Sequence, residues 1–76
     1  MNKSIVIKQL SETEWDVSEI PGNDGHVRWE ENTPLDCAYV LDVFNAEGQH
    51  LSTSFVGTDK QKGPDWNEII ATLKEL

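Results

Sequence analysis

Seventy-six residues leave room for one small domain, residues 1–76, and the only cysteine, Cys37, excludes an internal disulfide. A net charge of −8, from fourteen acidic and six basic side chains, argues against direct binding to nucleic acid or to an anionic membrane, since both need clustered Lys and Arg. The first ten residues, MNKSIVIKQL, hold an apolar run too short for a signal peptide or a membrane span. With a free cysteine suited to a reducing compartment, a soluble cytoplasmic protein is expected.

In chain order, residues 4–10 alternate loosely and are rich in β-branched side chains, which favours a strand. Ser11 and Glu14 have the spacing of a helix capping box. Yet Trp15 and Val17 alternate with Asp16 and Ser18, and no helical apolar stripe follows. Residues 14–19 are therefore read as a second strand, hairpinned to the first. Pro21-Gly22-Asn23-Asp24-Gly25 is a loop. After it, Val27 and Trp29 point inward from a short third strand over residues 26–30.

Thr33-Pro34-Leu35-Asp36 could start a helix, with Thr as cap and Pro in the first turn. The β-rich segment YVLDVF that follows argues instead for one tight turn, with or without a helical turn in it, feeding a hairpin. That hairpin spans residues 38–56 and is the best specified part of the chain. Asn45-Ala46-Glu47-Gly48 fits a type I turn closed by a left-handed glycine, which pairs Asn45 with Gln49. Carried along the ladder, this register sets Val43 against Leu51, Leu41 against Thr53 and Tyr39 against Phe55. Residues 57–63 are a polar connector. Pro64 opens a C-terminal helix whose Trp66, Ile69, Ile70 and Leu73 form one apolar stripe.

The expected fold is α+β: an antiparallel sheet of four to five strands, two hairpins plus a short strand, with one amphipathic helix packed on one face. The expected core is Ile5, Ile7, Trp15, Val17, Val27, Trp29, Tyr39, Leu41, Val43, Leu51, Phe55, Trp66, Ile69, Ile70 and Leu73. The other sheet face would stay open and present Val40, Phe44 and Val56 among Asp42, His50, Ser52 and Ser54.

Catalytic groupings are hard to find in this pattern. His26, His50 and Cys37 are the only nitrogen and sulfur ligands and share no short spacing, so no zinc site or other cofactor is expected. A Cys37–His pair would need an electropositive setting for the thiol, whereas residues 11–36 hold eight carboxylates against Arg28 alone. The expected function is accordingly non-enzymatic. The chain is read as an interaction module that binds a protein with a basic surface, or a second copy of itself as a homodimer. Binding would use Val40, Phe44 and Val56 on the open face. The alternative is an acidic decoy of the phage anti-defence type, in which Glu12, Glu14, Asp16, Glu19, Glu30 and Glu31 imitate a phosphate backbone and occupy a nucleic-acid-binding protein. A small-ligand binder or enzyme built on His26, His50 or Cys37 is the third reading, set back by the small volume such a chain can enclose.

Overall fold

A computed structural model describes residues 4–76. Five strands follow one another in space as in sequence: β1 (Ser4–Ser11), β2 (Glu14–Ile20), β3 (Asp24–Thr33), β4 (Asp36–Phe44) and β5 (His50–Phe55). Every neighbouring pair is antiparallel. The α+β expectation is met by this open five-stranded meander and a single C-terminal helix, α1 (Trp66–Glu75).

Short local devices make each connection. Between β1 and β2 the Ser11 hydroxyl accepts from the Thr13 amide at 3.2 Å, so the serine closes a turn and caps no helix. Thr33-Pro34-Leu35-Asp36 is likewise a tight turn, with Thr33 Oγ1 accepting from the Leu35 amide at 3.1 Å. Asp36 there takes φ 74°, the left-handed conformation that Asp tolerates better than most residues. The β4–β5 turn also forms as its residues dictate. Gly48 has φ 82°, its amide donates to the Asn45 carbonyl, and the Asn45 amide donates to the Gln49 carbonyl.

Beyond that turn the ladder departs from the expected register. Phe44 pairs with His50, but Val43 pairs with Ser52, so Leu51 is a one-residue bulge. Past the bulge Asp42 meets Thr53, Leu41 meets Ser54 and Val40 meets Phe55. The side chains of β5 are thereby exchanged between faces. Leu51 is 42% exposed rather than in the core. Phe55 joins the open face, and Val56, expected on that face, is fully buried in the core instead. Ser52 and Ser54 now share the helix-side parity. The Ser52 hydroxyl is buried there with no hydrogen bond among the described residues.

The core consists of Val17, Val27, Tyr39, Leu41, Val43 and Val56 from the sheet side and Ile69 and Leu73 from the helix, flanked by Ile5, Trp15, Trp29 and Trp66. The three tryptophans pack as their parity predicts. Trp66 meets Trp15 edge-on at 5.5 Å, while Trp29 and Trp15 both lean on Tyr39. Of the other expected core residues, Ile7 is 47% exposed because it lies on the outermost strand, beyond the reach of α1, and Ile70 is half-buried.

The helix is capped by Asp65, whose carboxylate accepts from the Glu68 amide. Its C-terminal half comes down on Gly25, where a Cβ would stand 3.1 Å from Leu41 and 3.3 Å from Leu73. Its N-terminal end is fastened by the Asp65 amide, which donates to the Val56 carbonyl. The Tyr39 hydroxyl donates to the Lys60 carbonyl at 2.7 Å and so ties the connector to the core.

The bulged register makes a sharp contrast between two leucines. Leu41→Ala should cost about 2–5 kcal/mol, whereas Leu51→Ala should stay within about 0.5 kcal/mol of the parent. Ser52→Ala should be neutral or stabilising by up to about 1 kcal/mol, because it removes a buried hydroxyl with no partner. Urea midpoints of the three variants check this.

Candidate functional site

The sheet face opposite α1 has no covering element among the described residues. Cross-strand pairing arranges its side chains in rows. Lys8, Asp16, His26, Asp42 and Thr53 lie in one row, Glu14, Arg28, Val40 and Phe55 in the next, and Ser18, Asp24, Phe44 and His50 in a third.

Asp42 is the hub. Its carboxylate accepts from Arg28 Nη1 on β3 at 2.5 Å and from the Thr53 hydroxyl on β5 at 2.6 Å. His50 Nε2 stands 2.8 Å from Thr53 Oγ1 and 3.2 Å from Asp42 Oδ1. The Thr53 hydroxyl gives its proton to Asp42, so His50 Nε2 carries the hydrogen that Thr53 accepts. Arg28 Nε donates to Glu30 at 2.7 Å, and His26 Nε2 pairs with Glu14 at 2.7 Å. Burial on its own would raise the Asp42 pKa. The hydrogen bonds from Thr53, Arg28 and His50 outweigh it and hold the carboxyl below its usual range. The Arg28 guanidinium is held above its ordinary pKa chiefly by its bond to Asp42.

Between β2, β3 and the end of β4 the face dips into a shallow hollow of about 360 Å³, lined by Asp16, Val17, Ser18, Asp24, Gly25, His26 and Phe44. The small Ser18, on the same face as Asp24 and Phe44, leaves the space. Phe44 walls one side and meets the His50 ring at 5.5 Å, and Asp16 and Asp24 supply negative charge at the rim.

The expected binding residues scatter. Phe44 does stand on the open face, half-buried. Val40 shares that face but is only 3% exposed between Arg28 and Phe55, so it cannot offer much contact area. Val56 is in the core. Of the six carboxylates read as a decoy surface, Glu14 and Glu30 are paired to His26 and Arg28. Glu19 is 2% exposed on the helix-side parity of β2, its carboxylate against Gly22, and is lost to any outer surface. Glu12 and Glu31 flank the turns, and Asp16 lines the hollow.

Cys37 stands apart from the two histidines along β4. It is the second residue of β4, five residues from the Asp42 level where both histidines gather. At about 3.4 Å per residue that is about 17 Å. Burial, then Asp36 and Glu31, push its thiol pKa up, away from the reactive thiolate. Asp42, Thr53 and His50 have the composition of a nucleophilic triad but the wrong order. The hydroxyl proton points at the carboxylate, whereas activation requires the imidazole to receive it. Among the described residues no three His, Cys, Asp or Glu side chains gather to hold a metal ion.

The Asp42–Arg28–Thr53–His50 network went unread in the sequence, although one signal was present. A charged residue at the centre of YVLDVF must find donors across both neighbouring strands. Comparison of the chain with family models, with characterised proteins and with solved structures finds no match.

Because its folded-state pKa is depressed, Asp42 adds stability that is fully present above its unfolded pKa of about 3.9 and is lost as pH falls through the folded value. Asp42→Asn should therefore be less stable than the parent at pH 7, with the gap closing below about pH 4. Urea midpoints of both proteins across that range check the sign.

Proposed function

We propose that this chain is a small, non-enzymatic interaction module, working in a reducing cytoplasmic setting, whose open sheet face receives a protein partner with a basic surface. The observation that carries this reading is the hollow at the end of β4. It combines an aromatic wall, Phe44, with the outward carboxylates Asp16 and Asp24 on a face that no element covers among the described residues. An aromatic anchor in a concavity is what interfaces use as an energetic centre. The surrounding charge favours a cationic occupant and steers its approach. The histidines, Arg28 and Asp42 hold one another rather than an open coordination or proton-transfer position. This supports a rigid platform over a reaction centre.

The decoy reading draws support from β2 and β3 lying side by side, which the acidic residues of both strands require. It is weakened by the burial of Glu19 and by the pairing of Glu14 with His26 and of Glu30 with Arg28 on the same face. Internal pairing of that kind leaves a mixed surface rather than a run of charge resembling a phosphate backbone.

Affinity capture from the native host's lysate, with Phe44→Asp and the double variant Asp16→Lys, Asp24→Lys beside the parent, separates these readings. The module reading expects a basic protein retained by the parent, lost with either variant, and kept by the helix-face control Lys74→Glu. Capture that survives both open-face variants contradicts it. Capture that survives Phe44→Asp but is competed away by DNA or RNA favours the decoy.

A further inference from the structure

We propose that β1 is a self-pairing edge through which two copies join antiparallel, about a two-fold axis at Val6, into one continuous ten-stranded sheet. The inference is independent of what binds the open face.

β1 ends the sheet, and no described residue pairs with its outer edge. In an antiparallel sheet an edge strand directs the N–H and C=O of every second residue outward, a template for another strand. Natural edges are commonly blunted by bulges, charge or covering segments. β5, the opposite edge, is blunted in this way. Leu51 bulges out of it, and the chain that follows is fastened back to β4 through the Tyr39 amide and the Gly57 carbonyl. β1 is regular from Ser4 to Gln9. It also exposes apolar side chains on both faces, with Val6 50% and Ile7 47% exposed. Large exposed β-branched residues on an edge that is regular from Ser4 to Gln9 and guarded by one charge, Lys8, are a combination that proteins otherwise avoid.

The partner is identified by self-complementarity and by charge. Antiparallel pairing about a two-fold axis at Val6 sets Val6 opposite Val6 of the second copy and Ile5 opposite Ile7 of the second copy. Every apolar residue in the run thus meets an apolar one on the same face. Lys8 falls opposite Ser4 of the second copy, and the two lysines end up on opposite sides of the axis. Charge points the same way. Residues 11–36 carry a net charge of −7, so two copies repel when those surfaces meet. β1 carries no carboxylate at all, and its one charge is Lys8. A basic partner is drawn away from β1 toward the acidic face, whereas a second copy finds β1 the least repulsive approach. Because the axis is perpendicular to the sheet, both helices lie on one side and both open faces on the other.

Sedimentation velocity across about 10 µM to 1 mM, where small interfaces operate, reads the association directly. The parent should pass from 8.6 kDa to twice that mass. Val6→Lys and Val6→Glu each place like charges across the axis and should weaken the dimer by about 100-fold or more, since such juxtapositions cost several kcal/mol. Val6 is half exposed, so both variants should keep the parent's far-ultraviolet circular dichroism. Mixing the two variants should restore association as a heterodimer. A parent that stays at 8.6 kDa throughout overturns the proposal, as does a dimer indifferent to both substitutions or a mixture that fails to recover.

Discussion

Asp42 lies within the run YVLDVF of β4, and its carboxylate needs donors from both neighbouring strands. Arg28 on β3 and Thr53 on β5 supply them, with His50 behind Thr53. Thr53 can reach Asp42 only if the two are opposite each other, which the turn at Asn45–Gly48 does not itself provide. The turn fixes Asn45 against Gln49, so Thr53 would sit against Leu41 and point toward the helix side. Extruding Leu51 corrects the count by one residue. The bulge buries the Ser52 hydroxyl without a partner, a loss of about 1–3 kcal/mol. Losing the Thr53 hydrogen bond would cost the charged Asp42 carboxylate about 1.5–3 kcal/mol, and the same bulge turns Val56 into the core, so the two together favour the bulged register.

From that register the two faces acquire separate roles. The helix side gains Val56, closes over Leu41 and Val43, and accepts Ile69 and Leu73 of α1 where Gly25 lets the helix approach. Stability belongs to this side. The opposite side receives Phe55 next to Val40 and holds the pairs Glu14–His26, Arg28–Glu30, Arg28–Asp42 and His50–Asp42. Individually such exposed pairs contribute little. Arg28, Asp42, Thr53 and His50, linked across β3, β4 and β5, hold one another's side-chain positions.

Much of this was legible in the sequence. Alternation in β2 and β3, the turn chemistry of Asn45–Gly48 and the apolar stripe of α1 each follow from local spacing, and together they define the α+β class. What was hidden depended on a contact between residues far apart in sequence. The turn and the apolar alternation of β4 and β5 agree on one register, whereas the bulged register brings Thr53 to Asp42 and Val56 into the core. Leu51, Phe55 and Val56 were misplaced for that one reason. Glu19 was misplaced for another: charge predicts a wet surface, but β2 parity and the space left by Gly22 turn its side chain inward. The candidate site was visible as Phe44 and Asp16. The hollow between them required knowing that Ser18, Asp24 and Phe44 share a row.

The open sheet face is the surface proposed to meet a partner. Two-dimensional ¹⁵N–¹H NMR of the labelled protein, titrated with the purified captured partner, tests that most directly. Perturbed amides should cluster at Asp16, Ser18, Asp24, His26, Phe44 and Thr53, with Ile69, Leu73 and the rest of α1 unmoved. Perturbations concentrated on α1 or the connector at residues 57–63, with the rows of the open face unchanged, would contradict it.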